Sequence, residues 1–280
     1  MLIPFTKMHG LGNDFMVLDL VSNDINLTRD QIRKLADRHF GVGFDQLLQI
    51  EPPSSTDVDF NYRIFNADGN EVEHCGNGAR CFAMFVQQQG LSDKNPLRVK
   101  TINGVLELKI NEDGGVTVNM GAPRFDTADI PFNNPEKALT YSRTLIDNGT
   151  QITVEFSALS VGNPHAVLLV DDVDSAPVER IGKLLGNHPD FTEGVNVGFV
   201  QIVSRSEIRL RVFERGAGET LACGTGACAA VVAGRTRGLL DETVLTNLQG
   251  GKLSISWCLG DSPVLMTGPA STVFKGSIEI

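Results

Sequence analysis

The stretch RIFNADGNEVEHCGNGA, Arg63 to Ala79, returns later in the same chain as RVFERGAGETLACGTGA, Arg211 to Ala227, aligned without a gap. Arg, Phe, Glu, Cys, both glycines and the final Ala coincide. A second matched pair lies upstream of each copy, where GNDFMVL from Gly12 and GNPHAVL from Gly162 share Gly, Asn, Val and Leu. A period this long exceeds the roughly 20 to 50 residues of a solenoid unit, so it records the duplication of a whole domain. At 280 residues the chain is long enough for two domains of ordinary size, each with its own core.

Local patterns predict the same order of elements in both copies. LIPFTKM and DFMVLDL read as strands, and Thr28 with Gln31 forms a capping box that opens a helix bearing Ile32, Leu35 and Ala36. Two strands follow, the second alternating Val58, Phe60, Tyr62 and Ile64. After the Cys75 loop come a helix over roughly Asn77 to Gln89, stopped at Gly90, and three strands from Leu97 to Met120. The second half repeats this, with strands near 151 to 157 and 165 to 170 and a short helix holding Ile181, Leu184 and Leu185. Further strands lie near Val197 and at EIRLRVF; the Cys223 loop, a helix ended by Gly238 and a last group of strands follow. GAPRFDTADIPFNNPEKALTY, residues 121 to 141, is rich in Pro, Asn and Asp and is expected to be a linker.

Composition excludes several classes of function. A formal charge of -10, with no long basic stretch, argues against a nucleic-acid partner. MLIPFTKMHG lacks the charged and apolar regions of a signal peptide, and no apolar run approaches the roughly 20 residues of a membrane helix. Five cysteines, an odd number without an export signal, suggest reduced thiols in a cytoplasm.

In each copy a cysteine directly precedes Gly-x-Gly, and that glycine pair opens a helix. A helix start offers unpaired N–H groups and the positive end of the dipole, so each loop is expected to hold a carboxylate and to lower the pKa of its own thiol. Two such loops facing each other across a cleft would put one sulfur on each side of a bound carbon. That suits stereoinversion alpha to a carboxylate, in which one thiolate removes a proton from one face and one thiol delivers a proton to the other. Neither a hydride carrier nor a metal is needed. Cys81, Cys228 and Cys258 are expected to be core filling, the last in a strand beside Trp257. GTGACA matches a loose dinucleotide-loop pattern, but about ten residues of loop separate it from the strand ending near Phe213. A zinc site around His74, Cys75 and Cys81 lacks the usual ligand spacing, and there is no C-x-x-C redox pair.

At these residues the sequence resembles the diaminopimelate epimerases, cofactor-independent amino-acid epimerases that use two cysteines. The resemblance covers essentially the whole chain. It rests on MHGLGNDF, GFDQLL, FNADGNEVEHCGNGARC, VGNPHAV, GVNVGFV and VFERGAGETLACGTGACA. Two departures are Asn70, where the family usually has Ser, and Phe274, where relatives often carry Tyr at a dimer contact.

The resemblance implies an α+β fold of two pseudo-symmetric domains, 1–120 and 121–268, each a mainly antiparallel sheet curled around a central helix. It implies that a C-terminal strand, 269–280, returns to the first domain. It implies Cys75 and Cys223 as the acid/base pair, with the α-carboxylate held by backbone at Gly76, Asn77, Gly224 and Thr225. Asn13, Gln46, Asn66, Asn163, Asn196, Glu214 and Arg215 would grip the substrate, and His165 and Glu214 would tune the thiols. Arg215 would meet the distal carboxylate, and Glu214 with Asn66 the distal ammonium. The implied enzyme takes LL-2,6-diaminopimelate to the meso form in lysine and peptidoglycan precursor biosynthesis, without cofactor or metal. It is expected to be a cytoplasmic homodimer with no membrane or nucleic-acid partner. Two other readings stay open: a two-cysteine racemase acting on proline or hydroxyproline, and a non-catalytic thiol protein that binds metal or senses redox state.

Overall fold

In a computed structural model that describes residues 2–72 and 75–280, the duplicated sequence becomes a duplicated order of elements. The first unit runs to Asn119 and takes back Thr267–Ile280; the second is Met120–Met266. The first begins with β1 (Leu2–Gly10), β2 (Asn13–Asp19), α1 (Arg29–Ala36), β3 (Gln46–Glu51) and β4 (Phe60–Asn66). It continues with β5 (Glu71–Val72), α2 (Gly76–Gln89), β6 (Leu97–Thr101), β7 (Gly104–Ile110) and β8 (Val116–Asn119). The second contains β9 (Tyr141–Asp147), β10 (Thr150–Ser160), β11 (Pro164–Leu169), α3 (Val178–Gly186), β12 (Asn196–Ser204) and β13 (Glu207–Glu214). After β14 (Gly218–Thr220) and α4 (Gly224–Thr236) come β15 (Thr243–Leu248), β16 (Gly251–Ser256) and β17 (Leu265–Gly268), where the chain re-enters the first unit for β18 (Ser271–Glu279).

Strand directions are copied along with the sequence. β1 and β2 are antiparallel, β2 and β3 parallel, β3 and β4 antiparallel, and β4 and β6 parallel. The second unit repeats this in β10/β11, β11/β12, β12/β13 and β13/β15. β18 pairs antiparallel with β1 along nearly its whole length, and β9 holds the matching place beside β10. The fold is α+β, each unit a sheet with two parallel pairings among antiparallel ones.

Each sheet curls around a helix that is buried over most of its length. α2 packs against β1, β2, β3, β7 and β8, and α4 against β10, β11, β12, β13 and β16. Their sequences allow it: Ala79, Cys81, Phe82, Ala83, Phe85 and Val86 surround α2, and small residues from Gly226 to Gly234 fill α4. The short helices are amphipathic and lie elsewhere on the sheet. α1 buries Ile32, Leu35 and Ala36 behind its Thr28–Gln31 capping box, as the sequence predicts. Gly90, at φ 64, ends α2 in the left-handed conformation expected of a stop signal. Among the described residues no helix is long and apolar enough to cross a membrane.

Three expectations need correction. Residues 121 to 141 are not a linker. Ile130 and Phe132 are buried in the core of the second unit with Tyr141, which starts β9, a strand the sequence reading omits. The segment is tied down by Asn133 N–H to Asp190 O at 2.7 Å and Thr192 N–H to Pro131 O at 3.0 Å. Cys258 follows β16 and is exposed, its thiol donating to Glu242, because the chain turns at Trp257 and only the indole goes inward. The ten residues before Cys223 hold β14, which hairpins back onto β13 and so carries Glu214 toward the helix start.

Candidate active site

In the first unit Cys75 is the N-cap of α2, with extended backbone and no side-chain cap, and its carbonyl accepts the first helical hydrogen bond from Ala79 at 2.8 Å. The N–H groups of Gly76, Asn77 and Gly78 therefore have no acceptor within the helix. Gly78 is required by packing: a β-carbon there would lie 2.4 Å from the Tyr62 hydroxyl. The half-buried Cys75 thiol faces Asn13 Oδ1 at 3.5 Å, and Asn77 Nδ2 donates to the same oxygen at 3.3 Å. Asn13 starts β2, Gln46 starts β3 beside it, and Asn66 ends β4 opposite Gln46. Gln46 Nε2 donates to Asn66 Oδ1 at 2.9 Å, and Gln46 Oε1 is buried with no hydrogen-bond partner.

The second unit builds the same frame with different chemistry. Cys223 caps α4 and accepts from Ala227 N–H at 3.0 Å. Its buried Sγ lies 3.1 Å from Glu214 Oε2 and 3.5 Å from Thr225 Oγ1, and Thr220 donates its hydroxyl proton to the other oxygen of Glu214. Asn163 Nδ2 donates to Thr225 Oγ1 at 3.3 Å, and His165 Nε2 meets Asn163 Oδ1 at 2.9 Å. His165 sits opposite Asn196 in the β11/β12 register, and Asn196 Oδ1 accepts Arg215 N–H at 2.8 Å. The exposed Arg215 donates its guanidinium to Glu193 O at 2.6 Å, turned away from Glu214, so the two are not a solvated ion pair.

A family model described as diaminopimelate epimerase matches residues 5–125 and 157–273. The chain belongs to that family. The diaminopimelate epimerase of Ectopseudomonas mendocina (strain ymp) is 58% identical over 280 residues, covering all of both chains, and that of Nitrosomonas europaea is 56% identical over the same span. Among solved structures, a hydroxyproline epimerase from Agrobacterium vitis superposes with a TM-score of 0.70 at 13% identity, covering 99% of this chain and 92% of that one. A PhzF-family phenazine biosynthesis protein from Bacillus anthracis gives 0.68 at 17% identity, with both chains covered fully. At such low identity these two bear on the fold alone. The chain is thus an isomerase of the epimerase class.

Within this chain the helix start does not dominate the electrostatics of Cys223. The expectation of a lowered pKa is wrong: burial pushes that thiol well above its ordinary value, and the Glu214 carboxylate adds to the rise. Gly226 N–H and the Thr225 hydroxyl pull the other way but are outweighed. The half-charge of a helix end is smaller than the full charge of a carboxylate at hydrogen-bond distance. Among the described residues no group of three or more His, Cys, Asp or Glu side chains is placed to hold a metal; His74, named in the zinc alternative, lies outside them. Asn70 closes its turn by donating N–H and Nδ2 to Asp68.

His165 is 1% exposed, and burial, helped by the positive charge of Arg215, holds its pKa down to about 3. Unfolding restores the ordinary value of 6.5. The unfolded chain then binds the proton more readily, so the stability from a neutral buried imidazole is complete above pH 6.5. It is lost as pH falls toward 3. Urea unfolding against pH is expected to show His165→Gln with a flatter profile than wild type in that window; parallel profiles would refute the assignment.

Most of the residues that sequence reasoning missed are charged. Arg80 is fully buried at the start of the second turn of α2, and its guanidinium donates to Gly76 O, Asn77 Oδ1 and Pro269 O. Asp45 accepts from Asn13 Nδ2, and Thr220 orients Glu214. The available signal was position: Arg80 closes the HCGNGAR motif on a helix otherwise uncharged, and Asp45 directly precedes Gln46.

Proposed function

We propose that this epimerase converts LL-2,6-diaminopimelate to the meso compound by thiolate and thiol chemistry at one α-carbon, with Cys75 and Cys223 as the acid/base pair. The observation that carries the reading is a cysteine capping a glycine-opened, buried helix in both copies of the unit. One thiolate takes the α-proton and becomes a thiol; the other thiol gives its proton to the opposite face of the carbon and becomes the thiolate. In the reverse direction the roles exchange, so no cofactor is consumed. The first-turn N–H groups of Gly76, Asn77, Gly224 and Thr225 hold the α-carboxylate, where negative charge builds up as the proton leaves.

The remaining polar set reads the rest of the molecule. Asn13, Gln46, Asn66, Asn163, Asn196, Glu214 and Arg215 bind substrate, the unpartnered Gln46 Oε1 being suited to an ammonium. Arg215 has donors beyond the one given to Glu193 O and takes the distal carboxylate. Glu214 and His165 tune the thiol on their side: Glu214 keeps Cys223 protonated, and neutral His165 fixes the amide of Asn163. The product supplies lysine and peptidoglycan precursors in the cytoplasm. The enzyme works as a homodimer, for which the exposed Leu2, Val273 and Phe274 on β1 and β18 supply apolar surface; sedimentation velocity is expected to give twice the chain mass.

Proton NMR of LL-diaminopimelate in D2O with reduced protein is the direct test. The α-proton signal is expected to vanish as meso product accumulates. Exchange of the proline α-proton with none at diaminopimelate would keep the two-thiol chemistry and overturn the substrate; silence with both would overturn the reading.

A further inference from the structure

Asn13 begins β2 immediately after Leu11 and Gly12, both at positive φ (57 and 88), which close the two-residue turn between β1 and β2. Its two amide ends meet different partners. Nδ2 donates to Asp45 Oδ2 at 3.0 Å, while Oδ1 accepts from Asn77 Nδ2 at 3.3 Å and faces the Cys75 sulfur at 3.5 Å. Asn77, 3% exposed, in turn accepts from Arg80 Nη2 at 2.9 Å. An ionised carboxylate only accepts and a guanidinium only donates. The two amides between them therefore point one way, N–H toward Asp45 and C=O toward Arg80.

Asp45 is itself held. It accepts from Arg38 Nη2 at 2.8 Å and from Asp14 N–H at 3.1 Å. Arg38 also grips Asp14 with both nitrogens, at 2.9 and 2.8 Å, and Lys7 bonds Asp14 and Gly43 O. Burial of Asp14 opposes its ionisation, but Arg38 and Lys7 overcome this and hold its carboxyl well below the usual range. The device belongs to one copy of the duplicated unit. Where the first has Asp14 and Asp45 the second has Pro164 and Val195, and there Asn163 is oriented by His165 and Thr225.

We propose that Asp45 is a positioning residue for Cys75: it fixes the direction of the line Asp45–Asn13–Asn77–Arg80, so that the Asn13 carbonyl and not its NH2 meets the sulfur. The inference rests on Cys75 acting as an acid/base thiol. A carbonyl accepts from S–H and gives a thiolate nothing, so the sulfur stays a strong base for a weak carbon acid. A reversed amide would donate to the thiolate and weaken it.

The test is the pH dependence of Cys75 alkylation by iodoacetamide in the reduced full chain, followed by peptide mass mapping. Asp45→Asn, whose amide offers either end, lets Asn13 turn over and is expected to lower the midpoint by about one pH unit, with kcat falling more than KM changes. In an Asn13→Ala background the same substitution is expected to do much less. Asp45→Glu, still acceptor-only, is expected to keep the wild-type midpoint. Among the described residues, Tyr62 from β4 and Cys81 from α2 also act electrostatically on Cys75; these and all other neighbours are common to every variant, so the cycle cancels them. Equal shifts with and without Asn13 would show that Asp45 acts by charge alone and overturn the proposal, as would no shift, or an Asp45→Glu midpoint displaced as far as that of Asp45→Asn. Alkylation needs no substrate, so failure here is distinguishable from failure of the proposed activity.

Discussion

Cys75→Ala and Cys223→Ala are each expected to slow LL-to-meso conversion by about 10²- to 10⁴-fold, the range of a positioned acid or base. The double variant is expected to be hardly slower than either single one, because one missing member already breaks the sequence of proton transfers. Loss of inversion need not mean loss of every proton transfer. A variant that keeps one thiol keeps a base on one face, which can remove the α-proton and return deuterium to the same face. In D2O each single variant is therefore expected to wash deuterium into one stereoisomer with retention, and the two variants to favour opposite isomers. Conversion by either variant at more than a tenth of the wild-type rate, followed by NMR and chiral chromatography, would remove that cysteine from the acid/base pair. The environments of the two sulfurs predict that the variants will differ: Cys223 is buried against the Glu214 carboxylate, whereas Cys75 is half-buried and faces the neutral Asn13 amide.

What could be read from the sequence was what the chain encodes locally or twice. The Thr28–Gln31 capping box and the Gly90 stop depend on neighbouring residues only, and both lie where predicted. The repeat around Cys75 and Cys223 fixed the duplication and the buried helices, because copied glycines mark copied close approaches. Strand order was not legible: the parallel β2/β3 and β4/β6 pairings join segments whose partnership no local pattern states. In the candidate site, the neutral amides lay inside motifs, but their ionic supports did not announce themselves. A sequence containing Arg38, Asp45 and Arg80 reads as solvated charge until the fold brings Asn13 and Asn77 between them. The error over Cys223 has the same origin. Helix capping is local, while Glu214 reaches the sulfur only because β14 folds back on β13 and Arg215 leaves in another direction.

The misread segment before β9 gives the largest stability prediction. Phe132→Ala is expected to destabilise the second unit by about 3–5 kcal/mol, the usual cost of removing a buried aromatic ring. Phe132 is 4% exposed, stacks on Phe191 at 4.5 Å and 16°, and takes Tyr141 edge-on at 4.9 Å. The Arg143 guanidinium lies 5.0 Å from its ring centre, held by Asp190 and Asn134. None of these partners can close the gap without giving up contacts of its own, so a cavity remains and the cost stays near the upper part of the range. Glu136→Ala, in the same Pro- and Asn-rich stretch but exposed, is expected to change stability by no more than about 0.5 kcal/mol. Hydrogen exchange under mild urea separates the two units: with Phe132→Ala, amides of β10 and α3 are expected to lose protection while those of β3 and α2 keep it. A loss below about 1 kcal/mol would return the segment to the status of a linker. Composition alone could not make this distinction, since Pro, Asn and Asp report where the chain turns, and three apolar side chains among them decide what the turns enclose.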